Sequence, residues 1–145
     1  MNNQPKTLIF IADDDEDDRY LLKLSLQIGF PKCLVRFFEN GQDLLDALHE
    51  EPFGTWPQLI LLDLNMPVMD GFATLAGIKE HDTLKIIPTV MLTTSDNPGD
   101  VERCYHIGCN AYMTKPSSFD QLSGMFSLLQ RYWVQVSRLP STPVS

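Results

Sequence analysis

The stretch that most constrains the fold is Leu59-Ile-Leu-Leu62, four apolar residues in a row with a single carboxylate, Asp63, directly after them. An apolar run without polar alternation reads as a strand buried on both faces, the pattern of parallel sheets covered by helices on each side. Asn65, Pro67, Asp70 and Gly71 then supply turn chemistry, and Phe72, Leu75 and Ile78 resume at helical spacing. Asp63 therefore stands at a strand-to-helix junction. On its own, such a residue reads first as a turn or capping aspartate, so its meaning depends on what the other strands bring beside it.

The strand-then-helix pattern runs the length of the chain. Leu8–Ala12 is followed by a helix with Leu21, Leu24 and Ile28 on one stripe and Gly29 as its expected C-cap. Leu34–Phe38 is followed by a helix opened at Asn40-Gly41 and carrying Leu44, Leu45 and Leu48. A loop over 52–57 leads to the Leu59 strand, and the third helix is expected over Asp70–Glu80. Ile87–Leu92 reads as the fourth strand, with Pro88 near its start where a missing donor is tolerated. Pro98, capped by Asn97, starts a helix that ends near Gly108, and Ala111–Thr114 is the fifth strand. The last helix, capped by Ser117 or Ser118, carries Phe119, Leu122, Phe126 and Leu129 and is expected to continue through Trp133 towards Leu139. Strands alternating with helices predict an α/β fold.

A length of 145 residues suits one domain, expected over 7–139 with tails at 1–6 and 140–145. No apolar stretch approaches the roughly 18 residues that span a membrane, and the first residues lack a signal-peptide pattern, so a cytoplasmic location is expected. The formal charge of -8, from 19 acidic against 11 basic residues, argues against nucleic-acid binding, which rests on Lys and Arg neutralising phosphates. Cys33, Cys104 and Cys109 lack disulfide or zinc spacing and read as buried or half-buried thiols. His49, His81 and His106 show no ligand spacing and read as surface residues.

Because each crossover contains a helix, the strands should be parallel and all end on one edge of the sheet, where open α/β sheets place their sites. The residues at those ends are Asp13-Asp14, Asp63, Thr93-Thr94 and Lys115-Pro116. Three carboxylates brought together repel one another and hold protons more tightly unless a cation compensates. Mg²⁺ suits that role, since it takes oxygen ligands and completes its shell with water and phosphate oxygens. A hydroxyl and an ammonium opposite it would hold the other oxygens of a phosphoryl group on Asp63.

Four motifs, Ile9-Phe-Ile-Ala-Asp-Asp-Asp15, Leu61-Leu-Asp-Leu-Asn-Met-Pro-Val-Met-Asp-Gly71, Met91-Leu-Thr-Thr94 and Ala111-Tyr-Met-Thr-Lys-Pro116, resemble in this order the receiver domain of two-component response regulators. The resemblance covers residues 7 to 135. It implies a flavodoxin-like (βα)5 doubly wound parallel sheet of strand order 2-1-3-4-5. It also implies that Asp63 is the phosphoacceptor and that Mg²⁺ is bound by Asp13, Asp14, Asp63 and the backbone carbonyl of Asn65. Thr93 and Lys115 would hold phosphoryl oxygens, and Tyr112 would occupy the aromatic switch position, with half-buried packing as its alternative. The Lys115-Pro116 peptide is expected to be cis, and Asp15 to Asp18 to do no more than favour the N-terminus of the first helix. Asn65 and Ser95 lie where an attacking water would approach, and Thr94 is bulkier than the small residues frequent at its position.

The implied activity is that of a stand-alone receiver accepting phosphate from a sensor or hybrid histidine kinase or a histidine phosphotransfer protein, and signalling to a downstream protein. No enzymatic activity is expected beyond self-phosphorylation and slow self-dephosphorylation. The stretch Leu129-Gln-Arg-Tyr-Trp-Val-Gln-Val-Ser-Arg-Leu-Pro140 is similar to the ending of receivers that partner bacterial phytochromes and hybrid kinases. Tyr132 and Trp133 are candidates for an aromatic anchor, in a homodimer through helix 4, strand 5 and helix 5 or with a partner, and core packing is the other reading of Trp133. The alternative function is a Mg²⁺-dependent phosphatase or phosphotransferase acting on a small phosphate ester. Against it, Asn65 stands where those enzymes typically carry a second aspartate. A phosphate-independent scaffold is a third possibility.

Overall fold

The computed structural model describes residues 7–50 and 56–136, with the backbone alone for 134–136. The tails, the greater part of the expected 52–57 loop and the expected helical turn beyond Val136 lie outside the described residues. Among the described residues the order is β1 (Thr7–Ala12), α1 (Glu16–Gly29), β2 (Cys33–Phe38), α2 (Gly41–Glu50), β3 (Leu59–Leu62), α3 (Gly71–Lys79), β4 (Thr89–Thr93), α4 (Pro98–Ile107), β5 (Ala111–Thr114) and α5 (Phe119–Gln130). The strands form one sheet in the order β2-β1-β3-β4-β5, and every neighbouring pair is parallel. No helix of the described residues is long and apolar enough to cross a membrane.

Strand alternation divides the core into two layers. Phe10, Ala12, Ile60, Leu62 and Met91 face Leu44, Leu48, Leu75 and Ile78 of α2 and α3, with Cys104 of α4. Ile9, Ile11, Leu59, Leu61, Val90 and Leu92 face Leu22 and Leu26 of α1 and Leu122, Phe126 and Leu129 of α5. The unbroken apolar run of β3 is thus explained, because all four of its residues are buried, two against each layer. β2 and β5 are the sheet edges and are only partly covered.

Several boundaries differ from the sequence reading. β4 starts at Thr89, not Ile87, because the Ile87 N–H is taken by Leu84 O in a 3-10 turn (Leu84–Ile86) and Pro88 has none to give. Gly29 is the last residue of α1 and not its cap, which is Phe30. A Cβ built on Gly29 would lie 2.3 Å from the Ser123 carbonyl oxygen and 2.9 Å from Phe126 Cβ, so close approach of α1 to α5 demands the glycine. α5 ends at Gln130 and passes into a π-helical turn, Arg131–Val136. Within it Tyr132 is exposed, whereas Trp133 is half-buried against the α1–α5 layer. Asn97, Pro98 and Ser118 act as the sequence suggests, with Asn97 and Ser118 accepting hydrogen bonds from Gly99 N and Gln121 N.

The three histidines are less scattered than their spacing suggests. His49 and His81 have ring centroids 5.3 Å apart, and His81 Nδ1 accepts the N–H groups of Thr83 and Leu84, which opens the 3-10 turn. His106 is exposed beside Glu102 on α4. None of the three cysteines forms a disulfide among the described residues; Cys104 and Cys109 are buried and Cys33 is half-buried. Burial above all, helped by Cys109 and Asp100, pushes the Cys104 thiol up to about 12, so it behaves as a small core residue.

Candidate functional site

Backbone hydrogen bonds that continue the sheet beyond its strands bring the four strand ends together. Asp13 N donates to Phe38 O at 3.0 Å, Asp63 N to Ala12 O at 3.1 Å and Lys115 N to Thr93 O at 2.7 Å. Asp13, Asp63 and Lys115 are therefore each held by the strand next to their own. After β3 the chain turns tightly: Gly71 N donates to Leu64 O at 2.8 Å, and a Cβ on Gly71 would lie 2.3 Å from the Asp63 carbonyl oxygen. Only a glycine lets α3 begin that close to the backbone of Asp63. Within the same loop Met69 N donates to Pro67 O at 2.6 Å, a γ-turn centred on Val68, whose φ of 67° is rare for a β-branched residue.

Asp13, Asp14 and Asp63 each present a carboxylate oxygen within 4.8 Å of the others. Asp13 is buried, Asp63 partly so and Asp14 exposed. Asp13 Oδ1 accepts Asp15 N at 3.0 Å, and Asp63 Oδ1 accepts Leu64 N at 2.7 Å. These oxygens form the all-oxygen donor set that a hard divalent cation requires, and the residues present fit such an ion. Asn65 lies in the exposed loop just after β3.

Lys115 supplies positive charge from the protein itself. Its ammonium donates to Asp13 Oδ2 at 2.8 Å and lies 3.6 Å from Asp63 Oδ2, with only 8% of its side chain exposed. Burial works to lower the lysine's pKa, but the hydrogen bond it donates to Asp13 and the charges of Asp13, Asp63 and Asp18 outweigh it and hold the pKa above the usual value. The Lys115-Pro116 peptide is trans, since no cis bond occurs among the described residues. The lysine reaches the cluster without the expected cis peptide.

Thr93 is fully buried at the end of β4, and its hydroxyl accepts Ser95 N at 3.4 Å. Thr94 beside it is exposed. Ser95 donates its hydroxyl to Asp100 Oδ2 at 2.7 Å, and its carbonyl accepts the Tyr112 phenol at 2.7 Å. Tyr112 is half-buried, and burial above all, with the Asp100 and Asp63 carboxylates nearby, pushes its phenol up from the usual value.

Two participants are absent from the sequence reading. Asp18, grouped there with the acidic first turn of α1, brings Oδ2 to 3.4 Å from the Lys115 ammonium. Arg19 donates to the Asp13 carbonyl at 2.8 Å and faces Glu39 at 3.7 Å. Asp14 precedes the N-cap Asp15 and lies outside the helix, so no helical spacing tied Asp18 to the strand-end carboxylates. Asp15 is the residue that does serve the helix end, accepting from Asp17 N and Asp18 N.

Comparison with known proteins agrees with this geometry. The profile of the family described as the response regulator receiver domain matches residues 9–127. The response regulator Rcp1 of Synechocystis is 35% identical over 143 residues, covering 97% of each chain. The solved structure of the phosphorylated cyanobacterial phytochrome response regulator RcpA superposes with a TM-score of 0.85 at 34% identity, covering 94% of this chain and 99% of that one. The Mn(2+)-bound form of Rcp1 superposes with a TM-score of 0.82 at 32% identity over 93% and 99% of the two chains.

Proposed function

The chain belongs to the response regulator receiver family of two-component signalling, and on that premise we propose that it accepts a phosphoryl group on Asp63 from a histidine kinase or histidine phosphotransfer protein. The observation that carries this reading is the placing of Lys115 Nζ 2.8 Å from Asp13 and 3.6 Å from Asp63, beside three carboxylate oxygens within 4.8 Å of one another.

An Asp63 oxygen attacks the phosphorus of a phosphohistidine. The new O–P bond forms as the P–N bond breaks, and the imidazole leaves on the donor. Lys115 and the Thr93 hydroxyl stabilise the charge on the phosphoryl oxygens, with little covalent chemistry left to the protein. A divalent cation, Mg²⁺ in this reading, would be held by Asp13, Asp14, Asp63 and the Asn65 carbonyl and would supply further positive charge there. The Mn(2+)-bound form of a relative supports that choice of ion class.

The phosphoryl group adds charge that Lys115 and Thr93 bind, and so favours a second arrangement of the β4, α4, β5 and α5 face. Tyr112, tied to Ser95 between β4 and α4, is the switch residue in this reading. Likeness to phytochrome response regulators supports a sensor kinase of that class as donor, and the exposed Tyr132 supports a protein contact or homodimer on that face. A cytoplasmic location is part of the proposal, as is the absence of turnover beyond self-phosphorylation and slow self-dephosphorylation. The alternative, a small-molecule phosphatase, has no support in the comparisons.

The test is labelling by acetyl phosphate in Mg²⁺. Asp63→Asn is expected to lose the label while keeping the fold by circular dichroism, and label persisting on that variant overturns the acceptor assignment. Turnover of a generic phosphate ester would revive the phosphatase, and a lack of Mg²⁺-dependent beryllofluoride binding would revive the scaffold.

A further inference from the structure

The Lys115 ammonium has three N–H groups and three carboxylates around it: Asp13 Oδ2 at 2.8 Å, Asp18 Oδ2 at 3.4 Å and Asp63 Oδ2 at 3.6 Å. Two of those carboxylates belong to the acidic cluster. Asp18 does not. It projects from the first turn of α1, and the helix does not need it as a cap, because Asp15 already accepts from Asp17 N and Asp18 N. Its carboxylate instead reaches across 97 residues of sequence to the lysine.

A lysine is a point charge on a flexible stem, so its place in a site is set by the anions that surround it. A divalent cation among Asp13, Asp14 and Asp63 would draw on the same charges that now hold Lys115, and a phosphoryl group on Asp63 would convert that carboxylate into an acyl phosphate. The cation weakens two of the three attachments, to Asp13 and Asp63, and the phosphoryl group alters the one to Asp63. Asp18 lies outside the cluster and keeps its full charge in both states.

We propose that Asp18 is a positioning residue for Lys115, holding the ammonium against Asp63 while the acidic cluster is engaged by a cation and the phosphoryl group. This inference rests on the reading of Asp63 as the acceptor. Asp18 does not touch the reacting atoms. It acts through the lysine, whose charge must already face the phosphoryl oxygens when the transfer occurs.

The test measures the acetyl phosphate-dependent phosphorylation rate in saturating Mg²⁺, with the Mg²⁺ affinity determined separately by calorimetry. Asp18 is 40% exposed, so the expected effect is that of a partly screened ion pair: Asp18→Asn lowers the maximal rate about two- to fivefold. Its Mg²⁺ affinity stays within a factor of about two, and Asp18→Glu recovers part of the rate. In a Lys115→Met background the Asp18→Asn effect disappears, as a double-mutant cycle requires of residues acting through one another. An unchanged maximal rate in Asp18→Asn, or the same factor with and without Lys115, overturns the proposal while label remains on Asp63. If Asp63→Asn is labelled as well as the natural chain, the underlying reading fails first, and the two failures are distinguishable.

Discussion

The phenol of Tyr112 donates a 2.7 Å hydrogen bond to the backbone carbonyl of Ser95, tying the edge strand β5 to the loop that leaves Thr93. The bond crosses from the expected switch residue to the segment that must move if Thr93 is to approach a phosphoryl group. Tyr112→Phe removes that tie and nothing else. Resting stability should fall by about 1 kcal/mol, the usual net worth of such a bond, measured by urea unfolding. Because the lost bond belongs to the unliganded arrangement, apparent beryllofluoride affinity in Mg²⁺ should rise by up to about fivefold. A fall in that affinity would show that the bond does not favour the resting state.

Lys115 makes a pH prediction with a definite sign. Its pKa in the folded chain is raised, so its stabilising contribution is fully present below the unfolded-chain value of about 10.4 and is lost as pH rises through the higher folded value. Stability from this group should be flat between about pH 6 and 9 and fall off only in strong alkali. Lys115→Met leaves the buried Asp13 carboxylate without its cation and should cost about 3 kcal/mol at neutral pH. Its urea midpoint should no longer show the alkaline decline that this group contributes, and Mg²⁺ should raise that midpoint more than it raises that of the natural chain.

Gly29→Ala places a Cβ 2.3 Å from the Ser123 carbonyl oxygen, a backbone atom that cannot simply rotate away. The expected cost is about 1 to 3 kcal/mol, as for other overpacked sites. Denaturant unfolding measures it, and a neutral result would mean that α1 and α5 separate easily.

Thr94 is exposed beside the buried Thr93, at the rim of the site. If its methyl group narrows the approach of water to the phosphorus, Thr94→Ala should shorten the aspartyl phosphate half-life about two- to fivefold, a barrier change below 1 kcal/mol. Following the decay of labelled protein checks this, and an equal half-life removes Thr94 from the account.

The parallel sheet made the centre of the site legible in the sequence. Once each crossover is a helix, the ends of β1, β3, β4 and β5 must share one edge, so Asp13, Asp14, Asp63, Thr93 and Lys115 could be gathered from four separate motifs. What pattern could not deliver were relations between faces. Gly29 has the position of a helix cap, and only the distance to Ser123 shows that packing selected it. Asp18 has the position of a helix-dipole charge, and only the 3.4 Å approach of Lys115 separates it from Asp17. The shortened start of β4 turns on one N–H taken by Leu84, a competition between local bonds that hydrophobic pattern does not register.

The pairing of Asp13 with Lys115 spans 102 positions of the chain, which has a kinetic consequence. Contacts of such long range close late, and folding rates fall as they come to dominate a topology. During synthesis the carboxylates at the ends of β1 and β3 are made well before the lysine that follows β5, so an incomplete chain holds Asp63 without the ammonium opposite it. An immature molecule thereby carries the acidic residues but not the assembled cluster.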